Sequence, residues 1–224
     1  MQEFWTNYAQ IYGGANDLEE KQRLFVANFL SGKTGNLLEF ASGNGKVISH
    51  IREAGFKGDI LGVDYNKEMV EVARTRLPNE KFIQGDILEA EKFLGEMKFD
   101  FVICLNSLHN LPDKKMIFNF LEAMKKYTKQ GGYIIFDVRN SLNPGVNYGY
   151  YRNRKRGLQF FTLFPDRIKQ IFKTNFEPIT DTGVNYSSPH VGDSFVKNSL
   201  YKFYFHLTSW KWFSPYRLFI FRKK

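Results

Sequence analysis

The chain has 224 residues, a length typical of one α/β domain, and its single cysteine excludes both a disulfide framework and a zinc cluster, so no metal site is predicted. The formal net charge of +9 fits a solvated lysine-rich surface, and it also leaves an anionic substrate, a membrane surface and a nucleic acid open as partners. No apolar run reaches the ~18 residues of a spanning helix and no leader pattern begins the chain, so we expect a cytoplasmic protein.

Two amphipathic helices are predicted before the first strand. Apolar and aromatic residues recur at helical intervals between Phe4 and Tyr12, and again between Leu24 and Leu30. The small residues at 31–35 then end the second helix. These two segments would form a helical cap over residues 1–35.

From residue 36 onward, short apolar runs alternate with amphipathic segments. The alternation predicts strands at 36–40, 59–63, 81–84, 99–105 and 133–138, separated by helices at 45–53, 67–76, 89–93 and 114–127. Strands that alternate with helices in this way indicate βαβ units and a parallel sheet.

The last third of the chain has a different pattern. We predict a helix at 165–174, a strand at 176–184 and a final strand at 217–222. The 185–216 segment between the two strands is too long for a hairpin loop. Its aromatic-rich part, 199–213, is interpreted as a helix, although partial alternation leaves a strand open.

Three acidic residues follow or end three consecutive predicted strands. Glu39 lies in the first, before the small-residue loop 41–45, and Asp64 and Asp86 follow the next two. The carboxyl ends of parallel strands meet in one crevice, where nucleotide-like ligands bind in open α/β sheets. Taken alone, a glycine turn fits a nicotinamide or flavin site equally well, but Ile48 occupies the third glycine position of the dinucleotide fingerprint.

This order of elements resembles the class I S-adenosylmethionine-dependent methyltransferases. Their first strand leads into an acid-x-Gly-x-Gly-x-Gly loop, which here stands as Glu39–Gly45, with Ala41 in place of the first glycine. The resemblance implies a Rossmann-like, doubly wound, seven-stranded sheet that is mostly parallel with an antiparallel last strand and has helices on both faces. It also implies one domain, with a cap at 1–35, a cofactor-binding core at 36–139, substrate-side insertions at 140–216, rich in aromatics before the last strand, and a final strand at 217–224.

The resemblance further implies S-adenosyl-L-methionine as cofactor, with S-adenosyl-L-homocysteine as product. Glu39 would hold the ammonium group, Asp64 the ribose hydroxyls, and Asp86 with Ile87 the adenine edge. The full set of predicted cofactor contacts is Tyr12, Glu39, Ala41, Ser42, Gly43, Asn44, Gly45, Asp64, Tyr65, Asn66, Met69, Asp86, Ile87, Leu105, Asn106 and Ser107.

The acceptor side is predicted from residues after the fourth and fifth strands. His109 is the candidate general base, with a pocket-shaping role as the alternative, and it is also a candidate substrate contact together with Arg139, Tyr148, Tyr151 and Arg152. The expected reaction is methyl transfer to an O or N atom of a small-molecule, saccharide or lipid-like acceptor.

Two other functions stay open at this point. The basic charge would suit an RNA-directed methyltransferase, or contact with an anionic membrane, if cations and aromatics formed one surface. However, the 106–109 segment lacks the Asn/Asp-Pro-Pro-aromatic motif of nucleobase amino methyltransferases. A non-catalytic cofactor-binding protein is the third hypothesis.

Overall fold

A computed structural model describes residues 17–155, 160–185, 206–207 and 210–224. The predicted helix at 4–12, which includes Tyr12, lies outside these ranges, and so does most of the aromatic-rich segment at 199–213.

The described residues form one seven-stranded mixed sheet in the order β3-β2-β1-β4-β5-β7-β6. Its strands are β1 (Leu37–Phe40), β2 (Ile60–Asp64), β3 (Lys81–Gln84), β4 (Phe99–Cys104), β5 (Thr128–Arg139), β6 (Phe176–Val184) and β7 (Tyr216–Lys223). β1 pairs in parallel with β2 and β4, whereas β7 pairs antiparallel with both β5 and β6. The predicted fold class is therefore confirmed, including the antiparallel last strand.

Seven α-helices in the described ranges surround the sheet. They are α1 (Asp17–Leu30), α2 (Lys46–Glu53), α3 (Lys67–Arg76), α4 (Glu91–Leu94), α5 (Lys114–Tyr127), α6 (Pro144–Arg154) and α7 (Pro165–Phe172). The described ranges also contain three single 3-10 turns, which are Ile87–Glu89, Leu108–Asn110 and Lys211–Phe213. No helix in the described part of the chain is both long enough and apolar enough to cross a membrane.

The core consists of two apolar layers, one on each face of the sheet. Leu37 packs in a layer with α1, α2 and α3, and its neighbour Leu38 packs in the opposite layer with α4, α5 and α7. Successive strand residues point to opposite faces, so strands covered on both sides become apolar throughout. All four residues of β1 are buried for this reason, including the acidic residue Glu39.

Several elements differ from the sequence prediction, among them helix α1, which begins at Asp17 rather than near Leu24. β5 begins at Thr128 rather than at residue 133, and Gly131, with a φ of 75°, lies within the strand instead of before it. Helix α6 was not predicted, because its aromatic and basic residues leave no apolar stripe. The signal that could have revealed it is the Asn143-Pro144 pair: the Asn143 side chain accepts from Val146 N at 2.7 Å, and Pro144 is the first helical residue.

Candidate functional site

The loop between β1 and α2 is a tight turn with three left-handed residues. Ala41, Gly43 and Gly45 have φ values of 55°, 52° and 77°. An added Cβ on Gly45 would meet Leu77 and Phe82 at 3.2 and 3.3 Å, so this glycine permits close packing inside the protein. On Gly43 an added Cβ would meet no heavy atom of the described residues within 4 Å, so the backbone of Gly43 faces open space in this part of the chain.

Asp64 fastens this loop to the end of β2. Its Oδ2 accepts a hydrogen bond from Gly43 N at 2.7 Å, and its Oδ1 accepts one from Asn66 N at 2.8 Å. Burial raises the pKa of Asp64 although both backbone hydrogen bonds oppose that shift. The Asn66 side chain in turn accepts from Met69 N and caps α3, so the carboxylate is held at a fixed position between two elements.

Glu39 is the most deeply buried acid beside the loop, with 1% of its surface exposed. Its Oε2 has no hydrogen-bond partner among the residues that the structure describes. Burial raises the pKa of Glu39 well above its usual value, nearby Arg23 opposes the shift, and Asp64 adds to it. A buried carboxylate oxygen without a partner is costly unless a donor reaches it, so this atom suits a cationic group of a ligand.

Asp86 follows β3 at the neighbouring strand end. Gly85 N donates to Asp64 O at 2.9 Å, which joins the ends of β3 and β2. The Asp86 side chain accepts from Leu88 N at 2.8 Å and caps the turn that begins at Ile87. The third predicted acid therefore lies one strand away from Asp64, and it is half-buried.

The loop after β4 is held by an acid of the adjacent strand. Asn106 is a left-handed residue, with a φ of 57°, and its N donates to Asp137 Oδ1 at 2.6 Å. Ser107 Oγ donates to Leu105 O at 3.0 Å. Asp137 is 2% exposed, and burial raises its pKa against the effect of Arg139, so this acid positions the loop from inside.

Four of the predicted cofactor segments meet at the carboxyl ends of β1 to β4. Around the loop, Ser42, Asn44, Asn66 and Met69 are buried, whereas Tyr65 is 57% exposed. The four segments that meet there are 39–45, 64–66, 86–87 and 105–107.

A second cluster lies at the end of β5, centred on Arg139. Its Nη2 lies 3.1 Å from His109 Nε2, and its Nε donates to the Tyr150 hydroxyl at 3.0 Å. Its Nη1 has no hydrogen-bond partner within the described ranges. The guanidinium carbon lies 3.4 Å from the centre of the Tyr216 ring. Burial lowers the pKa of His109 well below its usual value, and Arg139 lowers it further.

Aromatic rings enclose the same cluster. His109 stacks with Tyr150 at 6.5 Å between ring centres, and Phe160 lies 5.1 Å from Tyr150. Burial raises the pKa of Tyr150 to about 12. Two backbone hydrogen bonds join the 161–163 segment to this cluster. Phe161 N donates to His109 O at 3.1 Å, and Leu163 N donates to Arg139 O at 2.9 Å.

The three predicted substrate contacts on α6 do not belong to the Arg139 cluster. Tyr148, Tyr151 and Arg152 are exposed on the outer side of the helix, whereas Tyr150 turns inward to Arg139. The sequence does not distinguish Tyr150 from its aromatic neighbours, since α6 has no apolar stripe that marks its inner face. The structure thus brings His109 and Arg139 together and leaves the other three candidates on the surface.

The sequence model of a family described as a methyltransferase domain matches residues 31–150. This chain belongs to that family. The match covers the loop, Asp64, Asp86 and His109, and together with the sheet order it confirms the class I S-adenosylmethionine-dependent methyltransferases as the group predicted from the sequence.

Similar proteins support the same family. A ubiquinone biosynthesis O-methyltransferase of Hydrogenovibrio crunogenus is 24% identical over 139 residues, which are 61% of this chain and 56% of the relative. A demethylmenaquinone methyltransferase of Chlamydia caviae is 28% identical over 139 residues, 61% of this chain and 57% of the relative. The chain spans about half the length of the curated relatives it matches.

The similarity to a solved structure covers nearly the whole chain. A SAM-dependent methyltransferase from Archaeoglobus fulgidus superposes with a TM-score of 0.64 at 18% identity and covers 99% of both chains. At that identity the likeness concerns the fold. Glu39, Gly43 and Asp64 lie together in the segment that the family model matches.

Proposed function

We propose that this chain is a methyltransferase that binds S-adenosyl-L-methionine at the carboxyl ends of β1 to β4 and releases S-adenosyl-L-homocysteine. The observation that carries the proposal is the buried Glu39 carboxyl group beside the loop at Gly43, since within the described ranges one Glu39 oxygen has no partner and Gly43 faces open space. Family membership supports the same donor, because S-adenosyl-L-methionine is the cofactor of these enzymes.

The donor-binding residues divide into two roles. Glu39 is suited to hold the ammonium group by a charge-assisted hydrogen bond, which removes the cost of its unpartnered oxygen. Asp64 holds the loop through Gly43 N and is suited to accept ribose hydroxyls with its remaining lone pairs. Asp86 with Ile87 would take the adenine edge, and the 105–107 loop would close the opposite side.

The bound donor supplies an electrophilic methyl group whose sulfonium charge disappears during an in-line displacement. The protein's main task is therefore alignment, which can be worth ~7–11 kcal/mol in favourable cases. Asp137 contributes by fixing Asn106 N at 2.6 Å, and Arg139 contributes by fixing His109 and Tyr150 on the acceptor side.

For the acceptor, we propose a small, lipid-like molecule with an oxygen or nitrogen nucleophile. Two relatives are named for quinone-related methylation, which supports this class. The unpartnered Arg139 Nη1 supports an acceptor that carries an oxygen anion or a strongly polarised oxygen. His109 would position this acceptor, because its Nε2 lone pair is occupied by Arg139 and a proton-accepting role would require that contact to break.

Isothermal titration calorimetry tests the donor site. We expect micromolar binding of S-adenosyl-L-methionine and S-adenosyl-L-homocysteine and no binding of a nicotinamide dinucleotide. Asp64→Ala should weaken donor binding by ~1.5–3 kcal/mol, the range for hydrogen bonds to a charged group. Asp100→Ala is the matched control, because Asp100 accepts from Asn36 N near the opposite end of the sheet. Binding of the dinucleotide alone would overturn the proposal.

A turnover assay separates the enzyme from a non-catalytic binding protein. Formation of S-adenosyl-L-homocysteine would be measured with panels of phenols, carboxylates, amines, glycosides, quinol lipids and RNA. We expect turnover with a lipid-like phenol or acid. Donor binding without turnover on any panel would favour the non-catalytic hypothesis, and turnover on RNA alone would favour the RNA-directed one.

A further inference from the structure

Exposed aromatic side chains are concentrated around the carboxyl end of β5. Five of them lie on α6, on the segment that leads into α7, and on the turn before β7. They are 46–65% exposed, and we call them the aromatic rim: Tyr148, Tyr151, Phe164, Trp210 and Trp212. Large aromatic rings left in water at this density mark an interaction surface rather than a solvated one.

Two buried asparagines join the three segments of the rim. Asn140, which is fully buried, donates from Nδ2 to Trp212 O at 2.7 Å and to Ser214 O at 2.9 Å, and it bridges to Leu163 beside Phe164. Asn143, also fully buried, donates from Nδ2 to Phe213 O at 2.6 Å and caps α6. The rim is therefore built on a rigid base and is not a set of unrelated surface residues.

Cations accompany the aromatic rings. Arg152, Arg154 and Lys155 are exposed at the end of α6, and Lys155 Nζ lies 4.7 Å from the centre of the Tyr151 ring. The sequence contains no Asp or Glu from residue 139 to residue 165, nor from residue 194 to the end. Asp166 and Asp181, which lie outside these stretches, are paired with Lys169, Lys211 and Arg217, so the basic end of α6 keeps its positive charge.

We propose that the aromatic rim and the basic end of α6 dock this protein on the surface of an anionic lipid bilayer. Tyr and Trp combine an apolar body with a polar tip and suit the boundary between headgroups and acyl chains, while Arg and Lys attract anionic headgroups. A single-stranded nucleic acid would instead call for stacking rings along a basic groove, whereas these rings stand on the outer side of a helix and on a turn. Docking goes beyond the proposed function, because it needs neither the methyl donor nor turnover.

The position of the rim agrees with this occupant. Phe164 and Trp212 flank Asn140, which directly follows Arg139 in the acceptor-side cluster. A bilayer bound there would lie on the same side of the protein as Arg139, which is proposed to contact the acceptor.

Vesicle co-sedimentation of the full chain tests the proposal. We expect binding to vesicles of phosphatidylcholine with phosphatidylglycerol, weak binding to phosphatidylcholine alone, and loss of binding at high salt. Arg152→Glu with Lys155→Glu should lower the partition coefficient by about tenfold or more. The matched control is Lys57→Glu with Lys92→Glu, which makes the same change in net charge at exposed sites away from the rim.

The aromatic contribution has its own test. Tyr148→Ser with Tyr151→Ser should weaken vesicle binding, whereas Met97→Ser with Ile179→Ser, at two exposed apolar residues elsewhere, should not. In a Trp5→Phe variant, brominated lipids should quench the fluorescence of Trp210 and Trp212. Equal binding by rim and control variants would overturn the proposal, as would absence of quenching. Binding of a single-stranded RNA in fluorescence anisotropy without any vesicle binding would also overturn it.

Discussion

Arg139 donates a hydrogen bond from Nη2 to Nε2 of His109 over 3.1 Å. Because a guanidinium can only donate, Nε2 must be the acceptor and the imidazole proton must be on Nδ1. Burial and the positive charge of Arg139 both lower the pKa of His109, so the ring is neutral at physiological pH. The contact thus fixes the charge, tautomer and orientation of the histidine together.

This contact predicts a specific dependence of stability on pH. A histidine whose pKa is lowered by folding contributes stability that is present above its unfolded pKa, near 6.5, and is lost as pH falls below it. Between pH 6.5 and 5.5 the wild type should lose ~1 kcal/mol more of its free energy of unfolding than His109→Gln does. Urea denaturation at both pH values measures the difference, and parallel curves for the two proteins would contradict it.

Gly43 provides a test of the open space beside the loop. Gly43→Ala should cost ~1–2 kcal/mol of stability, because alanine is strained at a φ of 52°, and it should also weaken donor binding, because its methyl group enters the space that the donor is proposed to fill. Calorimetry with S-adenosyl-L-homocysteine measures the second effect.

The matched control for this substitution is Gly32→Ala. Gly32 also has a left-handed φ, 69°, and an added Cβ there would likewise meet no heavy atom within 4 Å, but it lies at the end of α1. The two variants should lose similar stability, and only Gly43→Ala should lose affinity. Equal affinities would show that the donor does not occupy the space at Gly43.

Sequence patterns were sufficient where structure is determined locally. α3 and α5 have the predicted bounds, because Asn66 and Asp113 cap them and apolar residues recur along one side of each helix. Glu39 and Asp64 could be found from the sequence because an acid at the end of an apolar strand is rare and conspicuous.

Features that depend on tertiary contacts could not be predicted. The pairing of His109 with Arg139 follows from the register of β4 against β5, and the inward turn of Tyr150 follows from that pairing. Ala41 stands in place of the first glycine of the family's loop, and alanine is small enough for the backbone to approach a ligand closely. The structure shows a further requirement, since this residue must also adopt a φ of 55°, a strain that a side chain rarely accepts.

The raised pKa of Glu39 predicts that donor binding releases a proton. Burial raises its pKa in the free protein, and the ammonium group proposed to reach Oε2 would favour the ionised form. Affinity should therefore rise with pH until the free carboxyl is ionised. Calorimetry in buffers of different ionisation enthalpy gives the number of protons released, which should fall in Glu39→Gln and persist in Asp64→Asn. Unchanged release in Glu39→Gln would assign the proton to another group.

The raised pKa of Glu39 also predicts that replacing this residue with glutamine stabilises the folded protein. A carboxyl whose pKa is raised by folding contributes stability below its unfolded pKa, and this contribution is lost as pH rises through the folded value. Glu39→Gln should therefore unfold at a higher temperature than the wild type at pH 8, by a few degrees, while the difference should shrink at pH 5. A variant that is less stable at both pH values would contradict this account of the buried carboxylate.

Asp181 and Arg217 form an ion pair that should determine much of the stability of the last strands. Arg217 is fully buried and contacts Asp181, whose other oxygen lies 3.0 Å from Lys169 and 3.1 Å from Lys211. Burial alone would raise the pKa of Asp181, but hydrogen bonds from these three cations outweigh it and the pKa is lowered. Asp181→Ala would leave the Arg217 charge buried without its partner, which typically costs 3–5 kcal/mol.

Thermal denaturation measures this loss, which should lower the midpoint by about 10 °C in a chain of this length. Glu89→Ala, which breaks the exposed pair with Lys92, is the control and should change the midpoint little. Because the pKa of Asp181 is lowered by folding, its contribution is present above the unfolded value near 3.9 and disappears as pH falls through the folded one. The gap between wild type and Asp181→Ala should therefore narrow only under strongly acidic conditions, and a gap that closed near pH 6 would assign the stabilisation to a different group.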